Sequence, residues 1–205
     1  MVVKRLLLAL AAGAACFGLS GATAAERECR MLPPQVTESL TYSSGPSGYL
    51  CDTAQKPLWQ GLPDGTSRVT RFVFTQGHGT FFRYVTITEA ADGKARLEAG
   101  GADRPFRQPG VVLEPRRMTL SAAELARIER LVDDSGTFDL EVGSWDGGRL
   151  YLHCELLEME RADDTGYRFS SVNIGCNQPK KLMPLVSEIM RLAKLRFDAD
   201  GMLIR

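Results

Sequence analysis

The run Arg68-Val69-Thr70-Arg71-Phe72-Val73-Phe74-Thr75 decides the fold class together with Thr80-Phe81-Phe82-Arg83-Tyr84-Val85-Thr86-Ile87-Thr88-Glu89, which follows after Gln76-Gly77-His78-Gly79. β-Branched and aromatic residues fill both runs, and the glycine-flanked break between them marks a chain reversal. A third run, Lys94 to Ala99, follows Ala90 to Gly93, where Asp92-Gly93 supplies the positive φ that a tight hairpin needs. Consecutive strands with short connections make an antiparallel meander.

Beyond the meander, Gly100 to Pro115 reads as loop, with Val111-Val112-Leu113 as a short edge strand. Ser121-Ala122-Ala123-Glu124 is a capping box, in which the serine hydroxyl and the glutamate carboxylate each satisfy a backbone donor of the other residue. Leu120 and Leu125 sit at the staple positions. Leu125, Ile128, Leu131 and Val132 form one apolar stripe, and Gly136 is placed to end the helix. A hairpin with strands near Leu150 to Glu160 and Tyr167 to Gly175 comes next. The last helix is expected over Met183 to Leu195, with Pro184 in its first turn and Leu185, Val186, Ile189, Leu192 and Ala193 facing the core.

The resulting order, β-β-β-α-β-β-α, predicts an α+β domain: an antiparallel sheet of about five strands with both helices on one face, since each apolar stripe needs a partner. In layout this resembles small exported bacterial domains of unknown function, in which a strand meander, a capped helix, a hairpin and a C-terminal helix follow one another. The resemblance spans residues 68 to 196 and implies no functional residue.

The start of the chain has a different character. Met1-Val2-Val3-Lys4-Arg5 is a basic lead, Leu6 to Leu19 is apolar, and Ala22-Thr23-Ala24 is a small-x-small cleavage signal. Residues 1–25 therefore read as a secretory signal peptide, too short in its apolar run for a comfortable span and followed by the polar Glu26-Arg27-Glu28. A lipoprotein signal would instead acylate Cys16, but such signals carry leucine three places earlier, where Gly13 stands. Residues 26–66 are rich in proline, glycine, serine and threonine without a sustained period, so they read as an irregular arm ahead of one α+β domain over 67–205. Leu58 and Trp59 are expected to pin this arm to the core.

Once the leader is removed, the loss of Lys4 and Arg5 from a formally neutral chain leaves it slightly acidic, which gives no field to draw nucleic acid or anionic lipid. Arginine predominates over lysine and the asparagines are Asn173 and Asn177, a composition that fits GC-rich bacterial coding and a periplasmic setting. Cys29, Cys51, Cys154 and Cys176 remain, an even number that fits two disulfides in an oxidising compartment. The short separation of Cys29 and Cys51 favours local pairing in the arm.

For Cys154 and Cys176 the argument is one of register. A three-residue loop Asp164-Thr165-Gly166 closed by Asp163 and Tyr167 places Cys154 opposite Cys176, Leu156 opposite Ile174 and Glu158 opposite Val172. In that register the cysteines share a mostly apolar face with Leu152. Tyr151, His153, Glu155, Ser171 and Asn173 then occupy the other, blurred by Leu157, Met159 and Phe169.

Chemical motifs are sparse. His153 and Glu155 share a strand face, but two groups fall short of the three or four ligands of a metal site, and His78 lies in a glycine-flanked turn. No Gly-x-Ser-x-Gly elbow is present, and Ser135 in Asp134-Ser135-Gly136 reads as a helix end. Asp198-Ala199-Asp200-Gly201 begins like a calcium loop without its later ligands. Arg191, Lys194 and Arg196 complement the negative end of the last helix rather than forming a patch. No cofactor and no metal are expected.

The expected function is a non-enzymatic periplasmic binding or accessory domain with an envelope protein partner. Trp145, a large aromatic set among glycines in Gly143-Ser144-Trp145-Asp146-Gly147-Gly148, is the candidate binding loop; its alternative role is to cap the core beside Phe138. The competing function is a small secreted hydrolase whose site gathers residues distant in sequence, His78 or His153 among them.

Overall fold

The computed structural model describes residues 30–39, 50–51, 53–76, 81–103, 111–139, 154–176, 178–197 and 203–204. It is an α+β fold built on a six-stranded antiparallel sheet, formed by β1 (Thr66–Thr75), β2 (Phe81–Ala90), β3 (Ala95–Asp103), β4 (Val111–Leu120), β5 (Leu156–Asp163) and β6 (Gly166–Asn173). Their order across the sheet is β4-β3-β2-β1-β5-β6. The meander walks outward from β1 to β4; helix α2 (Ala122–Ser135) then returns the chain so that β5 adds on the far side of β1. Helix α3 (Met183–Ala193) follows the β5–β6 hairpin, and a two-residue pair, β7 (Arg196–Phe197) with β8 (Leu203–Ile204), closes the order.

Both α2 and α3 cover one face of the sheet. There Phe72, Phe74, Val85, Ile87, Leu97, Leu157, Met159 and Val172 meet Ile128 and Val132 of α2 and Leu185, Val186, Ile189 and Leu192 of α3 in one buried cluster. Helix α2 starts as its sequence requires: the Glu124 amide donates to Ser121 Oγ at 3.2 Å, and the Ser121 amide donates to Glu124 Oε2 at 2.8 Å. Gly136 ends it in the left-handed region at φ 61°. Glu188 on α3 lies against Arg127 of α2 at 3.4 Å and accepts two hydrogen bonds from Arg191, at 3.0 and 2.8 Å. The Arg191 guanidinium holds the Glu188 carboxyl below the usual range.

Three features depart from the sequence expectation. First, in the segment read as loop with a short strand at Val111-Val112-Leu113, β3 extends through Asp103 and β4 runs from Val111 to Leu120. Gly100 lies under the Tyr84 ring, since a Cβ there would stand 2.6 Å from the Tyr84 hydroxyl, and a Cβ at Gly101 would run into the Phe82 carbonyl. Leu113 pairs with Gly101 and Arg116 with Ala99, so Glu114 and Pro115 fall together against Gly100 in an irregularity of the outermost strand, where a missing proline N–H costs least. Second, the arm holds short regular pieces: helix α1 (Pro34–Ser39) and a single 3-10 turn over Leu58–Gln60. Leu58 is buried against Val69 and Ala162, as expected for a pin, whereas the Trp59 indole donates to the Arg30 carbonyl at 3.1 Å and ties the arm to itself.

Third, the β5–β6 register is one residue off the expected one. The loop has two residues rather than three: Asp163 pairs with Gly166, whose φ is 122°, so Leu156 faces Asn173, Leu157 faces Val172 and Glu158 faces Ser171. A one-residue slip exchanges the faces of a strand. Leu157, Met159 and Val172 accordingly lie on the helix-covered face, and Glu158, Glu160, Ser171 and Asn173 on the other. The disulfide nevertheless forms between Cys154 and Cys176, with their Cα atoms 5.6 Å apart. A β-bulge restores the count: the Glu155 carbonyl accepts from both Ile174 at 2.9 Å and Gly175 at 3.2 Å, placing two residues opposite one. Only glycine fits there, because a Cβ at position 175 would come within 2.6 Å of the Glu155 nitrogen.

Candidate functional site

The second face of the sheet is covered by the arm. Met31, Leu50 and Cys51 rest on Val73, Phe82, Tyr84 and Ala102, while Leu58 and Leu62 rest on Val69, Ala162 and Tyr167. Between these two apolar contacts the face is polar. Arg71, whose side chain is 1 % exposed, places Nη1 3.0 Å from Glu160 Oε2 and donates from Nη2 to the Lys56 carbonyl of the arm at 2.6 Å. Tyr167 donates to Glu160 Oε1 at 3.0 Å. Cross-strand pairing of Arg71 with Glu160 sets this geometry, since opposed residues of an antiparallel pair share a face. Burial raises the Glu160 carboxyl despite Arg71, and burial together with Glu160 raises the Tyr167 hydroxyl.

Glu158 lies two residues along β5 on the same face, opposite Val73 on β1 and Ser171 on β6. Its Oε1 is buried without a hydrogen-bond partner. Burial, and then the neighbouring Glu160, pushes its carboxyl well above the usual range. A second network continues across the sheet: Gln55 of the arm accepts from Thr86 Oγ1 at 2.7 Å and donates to Glu98 at 2.8 Å, and Glu98 also accepts from Tyr84 at 3.0 Å and from Arg117 at 2.7 Å. Burial, with Glu98 beside it, raises the Tyr84 hydroxyl to about 12.

At the end of the sheet a cleft of about 370 Å³ is lined by Leu62, Thr66, Arg68, Glu89, Asp163 and Asp164. Its charges bind one another. Arg68 lies 2.8 Å from Glu129 and 3.4 Å from Glu89, Arg161 lies 2.7 Å from Glu129, and Arg168 pairs with Asp163. Arg161 and Arg168 both lie over the Phe138 ring, at 5.4 and 5.8 Å from its centroid. This arrangement ties α2 and the following turn to the sheet.

Of the residues singled out in the sequence, Trp145, His78, His153 and Cys29 lie outside the described residues, as do Asp198, Asp200 and Gly201. Cys51 is disulfide-bonded. Ser135 is the last residue of α2, and its hydroxyl donates to the Val132 carbonyl at 2.7 Å. Glu155 contributes its carbonyl to the bulge. Arg71, Glu158, Glu160 and Tyr167 were not singled out. Their signal was present as charges at i and i+2 inside a strand run, but a charged strand face reads as a solvated one until the arm is laid over it.

The outermost strand, β4, presents the other feature of note: Val111 is 58 % and Val112 52 % exposed. Among the described residues, no helix is long and apolar enough to cross a membrane, and no three His, Cys, Asp or Glu side chains are grouped to hold a metal ion. No protein-family model matches the chain, and no curated protein matches it.

Proposed function

We propose that the chain is an exported periplasmic protein that acts as a non-enzymatic binding domain, meeting an envelope protein along the open edge of β4. The observation that carries this reading is the pair Val111 and Val112, both more than half exposed on the outermost strand of the sheet. An edge strand offers unpaired main-chain groups to an extended segment of a partner, and exposed apolar side chains add affinity to that pairing. Pro115 confines the open stretch to the first part of the strand. Export is supported by the basic, apolar and small-residue sequence of the first 25 residues and by cysteines bonded in pairs, which suits an oxidising compartment.

A photo-crosslinking residue at position 112 in the exported protein tests the proposal. One envelope protein should be captured, and the double substitution Val111→Lys and Val112→Lys should abolish its binding while leaving the thermal midpoint within a few degrees. Retention of the same partner by the double variant would remove the β4 edge from the interface. An intact mass that does not begin at Ala25 or Glu26 would count against the export route.

A further inference from the structure

We propose that the edge of β4, while no envelope protein engages it, is occupied by a second copy of this chain, the two β4 strands running antiparallel about a two-fold axis so that the two sheets join. The inference rests on the reading of β4 as the open edge of the sheet, and it adds what regulates that edge. A strand edge pairs once, so self-association and binding of the envelope protein exclude each other. The observation behind it is the irregularity at Glu114 and Pro115, which makes the strand complementary to itself.

The sides of β4 follow from its neighbours on β3, since opposed residues share a face. Met118 and Leu120 lie opposite Leu97 and Ala95 and pack with them in the core on the helix side of the sheet. Arg117 lies opposite Glu98, which bonds Gln55 of the arm, so Arg117 and Thr119 belong to the arm side. In the first half of the strand Val112 lies opposite Ala102, which belongs to the cluster with Met31 and Leu50 of the arm, so Val111 and Leu113 belong to the helix side. Helix-side positions are thus odd-numbered before the irregularity and even-numbered after it, because two residues there stand against Gly100. Alternation from Leu113 puts Glu114 on the arm side with Arg117, whose guanidinium is raised first by its bond to Glu98 and also by Glu114.

Antiparallel pairing of the full strand Val111–Leu120 with itself sets Val111 opposite Leu120, Val112 opposite Thr119, Leu113 opposite Met118 and Glu114 opposite Arg117 of the second copy. In a regular strand this register would oppose residues from different faces. Here the irregularity shifts one half of the strand by one residue, and each of these pairs joins residues of the same side. Val111 with Leu120 and Leu113 with Met118 carry the apolar core across the seam on the helix side, where Val111 is 58 % exposed. On the arm side Glu114 meets an Arg117 that donates from Nε to Glu98 at 2.7 Å while its side chain stays 65 % exposed. Two-fold symmetry makes every contact twice. Pro115 stops a regular foreign strand, but in this pair the two interruptions coincide at the two-fold centre, and pairing resumes beyond them. A second copy is therefore the occupant able to use β4 on both sides of Pro115.

Sedimentation of the exported, oxidised protein, purified away from other envelope proteins, measures the pairing. The wild type should pass from monomer to dimer as its concentration rises. Glu114→Arg alone and Arg117→Glu alone each oppose like charges twice and should weaken the dimer by about tenfold, whereas an equimolar mixture of the two opposes unlike charges twice and should dimerise as the wild type does. Should Arg117→Glu disturb the network around Glu98, cysteine pairing reads the register without it: a mixture of Val112→Cys and Thr119→Cys copies should form an intermolecular disulfide, and Val112→Cys copies alone should not. A wild type that stays monomeric at every concentration, a mixture of folded charge variants no tighter than either alone, or a cross-link formed as readily by Val112→Cys alone would each overturn the proposal. The envelope partner is judged separately: a monomer that still captures it at position 112 removes the second copy alone, and a dimer that captures nothing supports this pairing and removes the partner.

Discussion

Replacing Arg71 with methionine probes the buried pair directly. The substitution keeps most of the side-chain volume and removes the guanidinium that lies 3.0 Å from Glu160 and bonds the Lys56 carbonyl at 2.6 Å. Glu160 then retains the Tyr167 hydroxyl as a donor. Its cheaper course is to take up a proton rather than stay charged in a closed site, and holding a carboxyl protonated at neutral pH costs up to about 4 kcal/mol, at about 1.4 kcal/mol for each pH unit above its free value. Part of that cost already falls on the wild type, because burial raises Glu160 even with Arg71 in place. Adding roughly 1 kcal/mol for the carbonyl left without its donor, the expected loss is about 3 kcal/mol near pH 7, the lower end of what breaking a buried ion pair costs. The sign of the pH dependence follows. Raising the folded value of Glu160 gives stability that is full below the free carboxylate value and is lost as pH rises, so the deficit of the variant should shrink by roughly 2 kcal/mol on going from pH 7 to pH 5. Urea melts at both pH values measure it, and the double variant Arg71→Met, Glu160→Met should recover most of the loss. A deficit that does not change with pH, or a double variant no more stable than the single one, would refute the assignment of this pair as a charged unit sealed by the arm.

Ser121→Ala should lower stability by about 1 kcal/mol through loss of the reciprocal cap of α2, seen as a shift in denaturant midpoint with an unchanged far-UV spectrum. Reducing the Cys154–Cys176 bond, or replacing both cysteines with alanine, should cost about 3 kcal/mol for a closed loop of this size, and non-reducing peptide mapping should recover the two cysteines in one linked fragment.

The fold was legible where local chemistry and tertiary structure agree. The capping box at Ser121 and Glu124, the Gly136 stop and the Asp92-Gly93 turn are decided within a few residues, and each stands where the sequence puts it. The α+β class followed from the order of such elements. The register of β5 and β6 did not, because Asp164-Thr165-Gly166 suits a two-residue loop with Gly166 as a strand end as well as a three-residue loop. The disulfide came out correctly because the bulge at Ile174 and Gly175 returns the residue that the shorter loop removes. β4 was foreseen only as the short edge strand Val111-Val112-Leu113, because Pro115 reads as a strand breaker, and the outermost position in the sheet where it is tolerated is a tertiary fact. The buried cluster was the least legible of all. Arg71 and Glu160 are 89 positions apart, and what makes them a buried pair is β5 lying next to β1 and the arm crossing above both.

That placement of β5 bears on how the chain reaches its native state. The β5–β6 hairpin joins residues close in sequence, and its disulfide spans a separation of 22. Docking β5 onto β1 closes a far longer loop, the one that brings Arg71 to Glu160 across the whole meander and α2. Short loops close sooner and at lower entropic cost than long ones. The hairpin can therefore assemble and be sealed by oxidation as an independent piece, and it arrives at β1 as a finished two-stranded unit. Until it arrives, the inner edge of the meander stays open at β1, and the most exposed moment of folding is the wait for a partner made later in the chain.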